Sequence, residues 1–286
     1  MLGLVGLAVV VGVFPIIRRL LQRLETLQRS VQRFGEGDLS VRVSEQGQDE
    51  VADLARQFNA AAARIEALVK THKSLLANAS HELRSPLTRI RMGLELMGGN
   101  QPSPAFREEI LRNIAELDQL VDEILLASRL DAREADVGTV ELVDLIGLAA
   151  EECARVDAEL DVTAVPEGLE VRGVAKLLRR ALRNLLENAR RYSQGDITVV
   201  LQRHDGQAQV SVLDRGPGVP PALRERIFEP FYRLPGASER AGGVGLGLAL
   251  VRSIAQRHNG SVRCEDQPDG SGGACFVLRL PLALTK

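Results

Sequence analysis

The chain has 286 residues, 36 of them basic and 38 acidic, for a net charge of −2; 45% are hydrophobic and 26% charged. That balance describes a folded protein of about two domains at roughly 150 residues each, and it excludes long disorder and a chain-wide basic surface for nucleic acid. Trp is absent and aromatics make up 3%, which excludes stacking platforms for single strands, and three cysteines (Cys153, Cys264, Cys275) without a CxxC pair exclude a disulfide framework or zinc ribbon and fit a reducing compartment.

No charged side chain occurs from Met1 to Ile17, whereas Arg18, Arg19, Arg23 and Arg29 follow. A membrane-crossing helix needs about 17–25 apolar residues. A secretory signal would carry its basic residues before the run and a small-residue cleavage site after it. A transmembrane helix over 1–17 is therefore expected, with a signal peptide or a buried helix as alternatives. The arginines on its C-terminal side place the rest of the chain in the cytoplasm.

Leu20, Leu24, Leu27, Val31 and Phe34 then recur in alternating steps of four and three, until Gly35-Glu-Gly-Asp38 breaks the helix. A second stripe, Val51, Leu54, Phe58, Ala61, Ile65 and Leu68, repeats the rhythm, and between the two Leu39, Val41 and Val43 alternate with polar residues as an extended connector would. Two parallel helices packed against a partner chain satisfy this pattern, with two amphipathic helices of an ordinary domain as the alternative. Pro15 at the entry and Asp49-Glu50 opening the second helix resemble the HAMP signalling module.

Two further amphipathic helices follow. One carries Leu76, Ala79, Leu83, Leu87, Ile90, Leu94 and Met97 and ends at Gly98-Gly99-Asn100, with Pro102 and Pro104 reinforcing the turn; the other carries Ile110, Ile114, Leu117, Val121 and Ile124. A two-helix hairpin buries too little alone, so two copies forming a four-helix bundle, a homodimer, is the economical arrangement.

On the first of these helices His81 points away from Ala79 and Leu83, toward solvent, at about 100° per residue. A histidine ring is mostly neutral at neutral pH and so nucleophilic. The adjacent Glu82 can draw a proton from one ring nitrogen while the other attacks. Pro86 leaves the Glu82 carbonyl without its helical donor and predicts a local bend. His72, His204 and His258 have no such setting and read as structural or surface residues.

From about residue 138 the pattern changes to alternating α and β, with a helix over Val174–Arg190 and strands over Ile197–Leu201, Gln209–Leu213 and Cys275–Leu280. No P-loop, G-x-G-x-x-G, H-R-D or D-F-G motif occurs, so this is not an ordinary Ser/Thr/Tyr kinase. Four other elements do occur, in order. Asn184 and Asn188 sit one helical turn apart, followed by Arg191 and Tyr192, and amide oxygens suit a hard cation such as Mg²⁺. Asp214-Arg-Gly216-Pro-Gly218 ends a strand, where a carboxylate can accept from an exocyclic amine and glycines let the backbone approach a ring. Phe228-Glu-Pro230-Phe231-Tyr232 comes third. Gly242-Gly243-Val-Gly245-Leu246-Gly247-Leu248 runs into a helix whose first amides can cradle phosphate. Each element alone is also a common surface or loop feature; their order is what points to a nucleotide.

Ser80-His81-Glu82-Leu83-Arg84-Ser85-Pro86-Leu87 is similar to the H-box of bacterial sensor histidine kinases, S-H-E-L-R-T-P-L, with Ser85 where threonine is usual. The four C-terminal elements resemble the N, G1, F and G2 boxes of the GHKL (Bergerat) ATP-binding fold. The resemblance implies a multidomain chain: a transmembrane helix (1–17), an all-α HAMP linker (18–67), a dimerising HisKA-type helical hairpin (68–133) and an α/β sandwich ATP-binding domain (138–286). It implies ATP and Mg²⁺ as cofactors, His81 as phosphoacceptor, Glu82 as general base, and Ser85 as the hydroxyl linked to dephosphorylating the partner. Asn188, with Asn184 as second candidate, would serve Mg²⁺; Asp214 would read adenine; Arg191 and Tyr192 would contact the nucleotide. Gly216 and Gly218 would let the backbone approach it, and Gly243, Gly245, Leu246 and Gly247 would line its phosphates. Residues 220–242 would form a lid anchored by Phe228 and Phe231. The implied partners are a second copy, a cognate response regulator and the bacterial inner membrane, with no nucleic acid. An ATPase of the chaperone or topoisomerase groups, or a receptor that only binds a partner through its bundle, are the rivals. Kinases of this kind usually have two spans around an outer sensor, and this chain opens at what resembles the second, so either those parts are missing or the signal enters through the membrane or a partner.

Overall fold

A computed structural model describes residues 2–96, 104–131, 138–165, 168–193, 195–234, 244–268, 270 and 272–283, without the side chains of 2–10, 96, 104 and 131. The chain divides into two compact units, Met1–Ser74 and Leu75–Lys286.

In the first unit α1 (Leu2–Gly35) runs through Pro15 and ends where Gly37 turns to φ +105°. Among the described residues no helix is long and apolar enough to cross a membrane. Most side chains of the expected span 1–17 lie outside those residues. α2 (Glu50–Leu96) begins behind Asp49, whose Oδ1 accepts from the Ala52 amide at 2.9 Å as a helix cap. Arg23 ties α1 to that cap, donating to Asp49 at 2.5 and 3.0 Å and to the Gln46 carbonyl at 2.6 Å. Further along, Leu27 packs with Ala55, and Phe34 meets Phe58 edge-on at 5.7 Å. The contacts advance together along both helices, so these helices run parallel, as the connector requires. Val41 and Val43 of that connector are buried and Arg42 exposed. The Asn59 amide clamps it, accepting from the Val43 N–H at 2.9 Å and donating to the Val43 carbonyl at 2.8 Å. The face of α2 turned inward is lined by Ala52, Ala55 and Ala62, which let the helices approach closely, while Leu54, Ile65 and Leu68 of the expected stripe stay exposed.

The second unit starts with a helical hairpin of α2 and α3 (Pro104–Asp131). Arg89 bonds Asn113 and Glu116, and Gly93 admits the ring of Phe106, so these two segments are antiparallel. Met97, Gly98–Asn100 and Pro102, the predicted turn, lie outside the described residues. Leu76, Leu87, Leu94, Ile114 and Val121 are each more than 40% exposed.

Behind the hairpin stands a two-layer α/β sandwich. β1 (Glu141–Asp144) pairs antiparallel with β3 (Glu170–Gly173), and a five-stranded sheet has the order β2-β4-β5-β7-β6. β2 (Glu159–Asp161) is parallel to β4 (Thr198–His204); β5 (Gln207–Leu213), β7 (Cys275–Pro281) and β6 (Ser261–Glu265) continue antiparallel. Asp205 and Gly206, both at positive φ, close the β4–β5 hairpin with a tight two-residue turn. One face of the sheet presents Val199, Leu201, Val210, Val212, Phe276 and Leu278 to the core. On the other, Arg279 donates to Gln209 at 3.0 Å. The core face is covered by α4 (Leu145–Val156), α5 (Ala175–Tyr192) and α6 (Gly247–Arg257).

Two polar devices fix these helices. Glu152 of α4, 1% exposed, accepts from Arg183 at 2.9 and 2.8 Å and from Arg179 at 3.3 Å, and the Arg183 hydrogen bonds hold its carboxyl below the usual range against desolvation. His258 accepts the Val174 N–H on Nε2 at 3.0 Å, and its Nδ1 lies 2.7 Å from the Ile254 carbonyl, which requires the neutral Nδ1–H tautomer.

Candidate functional site

A cavity of about 460 Å³ opens between α3, α5, the loop after β5 and the start of α6. α5 buries Leu177, Leu178, Ala181, Leu182, Leu185 and Leu186, and Asn184, Asn188, Arg191 and Tyr192 on the flank of that face line the cavity. Asp214 ends β5 at the same wall. It is 3% exposed, and its Oδ1 accepts the Gly216 amide at 2.8 Å and the Ala274 amide at 3.2 Å. Burial pushes its carboxyl up and the two amides oppose that shift. A buried acceptor held rigidly at a cavity wall is suited to reading one hydrogen-bond donor on a ligand.

Glycines make this corner. A Cβ on Gly218 (φ +73°) would strike the Gly273 carbonyl, one on Gly273 (φ +103°) would strike the Asp214 carbonyl, and one on Gly216 would sit 2.7 Å from the Tyr192 carbonyl. Gly245 (φ +81°) packs on Phe231, whose amide donates to the Gly245 carbonyl at 2.9 Å. α6 opens at Gly247 behind Leu246, which makes no side-chain cap, and among the described residues its positive end is suited to face an anion.

The predicted residues are only partly gathered here. Asn184, Asn188, Arg191, Tyr192, Asp214, Gly218, Gly245 and Gly247 line the cavity. Leu246 is fully buried and does not line the cavity, so only its backbone is placed at the α6 start. Gly216 supports Asp214 from behind. Gly243 and residues 235–242 of the expected lid lie outside the described residues. Phe228, 2% exposed, packs edge-on against Phe276 at 6.4 Å, and Phe231 packs against the same core. The Asn184 amide nitrogen donates to the Gly247 carbonyl at 3.1 Å, so this side chain bolts α5 to α6. Among the described residues no cluster of three His, Cys, Asp or Glu could hold a metal. The donor set fits Mg²⁺ only as a cation whose shell phosphate oxygens and water complete around the Asn188 amide.

His81, Glu82 and Ser85 lie on α2 and do not line the cavity. His81 is exposed, as its helical position requires, and α2 is assigned as one helix through Pro86. The sequence reading missed the α3 wall, where Arg112, Glu116, Gln119 and Glu123 meet the cavity, and missed Gly273. The α3 residues carry no motif, since only the packing of helix on sandwich brings them there; Gly273 stands in a Gly-Ser-Gly-Gly run that invites the reading of a plain loop.

Comparison with known proteins agrees with this layout. A HAMP domain model matches residues 16–67, a His Kinase A (phospho-acceptor) domain model 71–133, and a histidine kinase-, DNA gyrase B- and HSP90-like ATPase model 173–284. Sensor protein RstB of Escherichia coli K12 is 34% identical over 288 residues, covering 99% of this chain and 65% of that protein. The signal transduction histidine-protein kinase/phosphatase MprB of Mycobacterium sp. strain KMS is 34% identical over 252 residues, covering 82% and 48%. The chain thus spans about half to two thirds of the length of the curated relatives it matches. The solved structure of Acinetobacter baumannii histidine kinase AdeS shares the fold at a TM-score of 0.58 and 21% identity, covering 71% of this chain and 98% of that one. Three domain matches in this order, over an acceptor helix and a glycine-built cavity, establish that the chain belongs to the two-component sensor histidine kinases.

Proposed function

We propose that the chain is an ATP-dependent protein-histidine kinase that phosphorylates His81 and passes the phosphoryl group to an aspartate of a cognate response regulator. The observation that carries the reading is the cavity, whose lining brings together the buried Asp214, Asn188 and Gly247 at the start of α6. Asp214 suits the exocyclic amine of adenine. The α6 amides with Gly245 suit the phosphates, and Arg191 and Tyr192 flank the nucleotide. Asn188, with Asn184 beside it, would hold Mg²⁺, which supplies charge neutralisation when bound. One nitrogen of His81 attacks the γ-phosphorus as the bond to the β,γ-bridging oxygen breaks and ADP leaves with the electron pair, Glu82 takes the proton from the other nitrogen, and transfer depends mostly on positioning. Residues 220–242 act as the lid over the nucleotide, with Phe228 and Phe231 at its root.

The exposed apolar stripe of Leu76, Leu87, Leu94, Ile114 and Val121 supports a homodimer whose hairpins form a four-helix bundle. The charge-free opening followed by arginines supports an anchor in the inner membrane with the kinase portion in the cytoplasm. Dephosphorylation of the response regulator through Ser85 is the second activity, supported by the hydroxyl one turn from His81 and by the kinase/phosphatase name carried by MprB.

Incubation with γ-labelled ATP tests the central reading. Label stable to alkali and labile to acid is expected in the native chain and absent from His81→Gln, which keeps nucleotide binding. Acid-labile label in that variant would reject His81 as the acceptor.

A further inference from the structure

Ser85 differs from its neighbours on α2 in what its hydroxyl does. Ser80 and Thr88 each donate back to the carbonyl four residues earlier, at 2.8 Å. Ser85 instead accepts, from Nη1 of Arg89 at 3.2 Å. The remaining nitrogens of the same guanidinium are fixed on α3: Nε donates to Oδ1 of Asn113 at 2.7 Å and Nη2 to Glu116 at 2.8 Å. Asn113 is itself buried at 7% exposure and locked by donating to the Glu109 carbonyl at 2.7 Å. Arg89 is thus held by the second helix and spends its one free edge on Ser85. A hydroxyl has one proton and two lone pairs. With one lone pair engaged by Arg89, the Ser85 O–H and its other lone pair remain available one helical turn from His81.

We propose that Arg89 is the positioning residue for the Ser85 hydroxyl in response-regulator dephosphorylation; the inference rests on the phosphatase reading above. In that reaction a water oxygen bonds to the phosphorus of the regulator's aspartyl phosphate as the acyl P–O bond breaks. The electron pair stays on the aspartate carboxylate, and the water proton leaves with the inorganic phosphate. Ser85 orients the water through its free lone pair, and Arg89 keeps that lone pair aimed. Arg89 acts through Ser85 and touches neither water nor phosphate.

The test is a double-mutant cycle on the full chain. The substrate is the host response regulator that takes label from His81 fastest, phosphorylated with acetyl phosphate. Arg89→Ala is expected to slow dephosphorylation roughly tenfold, the scale of losing one orienting hydrogen bond. Adding it to Ser85→Ala is expected to cost nothing further, and Arg89→Lys to recover part of the rate. Arg89→Gln replaces Arg89→Ala if the latter does not fold. Additive losses, or an unchanged rate in the Arg89 variants, overturn the proposal while leaving the phosphatase reading in place. A native chain that does not dephosphorylate the regulator overturns both.

Discussion

Glu123 of α3 and Arg180 of α5 meet at 2.8 Å, with the carboxylate 9% and the guanidinium 26% exposed. Gln119 donates to the same Glu123 oxygen at 3.1 Å, and Nε of Arg180 is buried without a hydrogen-bond partner among the described residues. The pair joins the hairpin to the sandwich beside the cavity. Removing one member leaves the other's charge poorly solvated, so Glu123→Ala or Arg180→Ala should each destabilise the second unit by about 1–3 kcal/mol, less than a fully buried pair would lose. Glu123→Leu with Arg180→Met should lose less than either alanine variant, because no charge is then stranded. Urea denaturation of the four proteins measures this; a double variant worse than both singles would contradict it.

Asn188→Ala should weaken ATP binding at least about tenfold in the presence of Mg²⁺ and much less in EDTA, since the amide oxygen is expected to act through the cation. Fluorescent-nucleotide titrations with and without Mg²⁺ separate the cases. Equal losses under both conditions would make Asn188 a direct nucleotide contact.

Gly273→Ala should disturb the corner that holds Asp214. A Cβ there would lie 2.0 Å from the Asp214 carbonyl oxygen, and the backbone already sits at φ +103°. Strain of this kind costs on the order of 1–3 kcal/mol or more. The thermal midpoint should fall and nucleotide affinity with it; a variant with native affinity would show that Asp214 is not held from this side.

His258 predicts a pH dependence. Burial lowers its pKa from the ordinary 6.5, with the Ile254 carbonyl opposing the shift. The unfolded chain therefore binds the proton first, and stability that is complete above pH 6.5 is lost as pH falls toward the depressed folded value. Between pH 7 and 5 the native protein should lose more stability than His258→Gln, whose side chain does not titrate. Parallel stability curves would remove His258 from the account.

Long-period patterns were what the sequence made legible. The α5 helix was expected over Val174–Arg190 and is found over Ala175–Tyr192, because its apolar face is complete. β5 and β7 were placed by their Val- and Leu-rich alternation. α4 and the short strands β1, β2 and β3 were not placed: strands of three or four residues hold too few alternations to register. In the first unit the stripe of α2 was expected to pack against a partner chain; the buried positions Ala52, Ala55 and Ala62 lie outside that stripe and were not marked by it. At the cavity, residues in runs such as Asn184–Asn188 could be read directly. Glu123 could not, nor on the hairpin could Arg89, because their meaning comes from partners 57 and 24 positions away.

All three cysteines are buried, and burial pushes the Cys153, Cys264 and Cys275 thiols up to about 11, 12 and 11. Almost no thiolate is present near neutral pH, and what forms is shielded from reagent. The folded chain should therefore react only slowly with maleimides, so that a single surface cysteine introduced by mutation should take a spectroscopic label in preference to the native thiols.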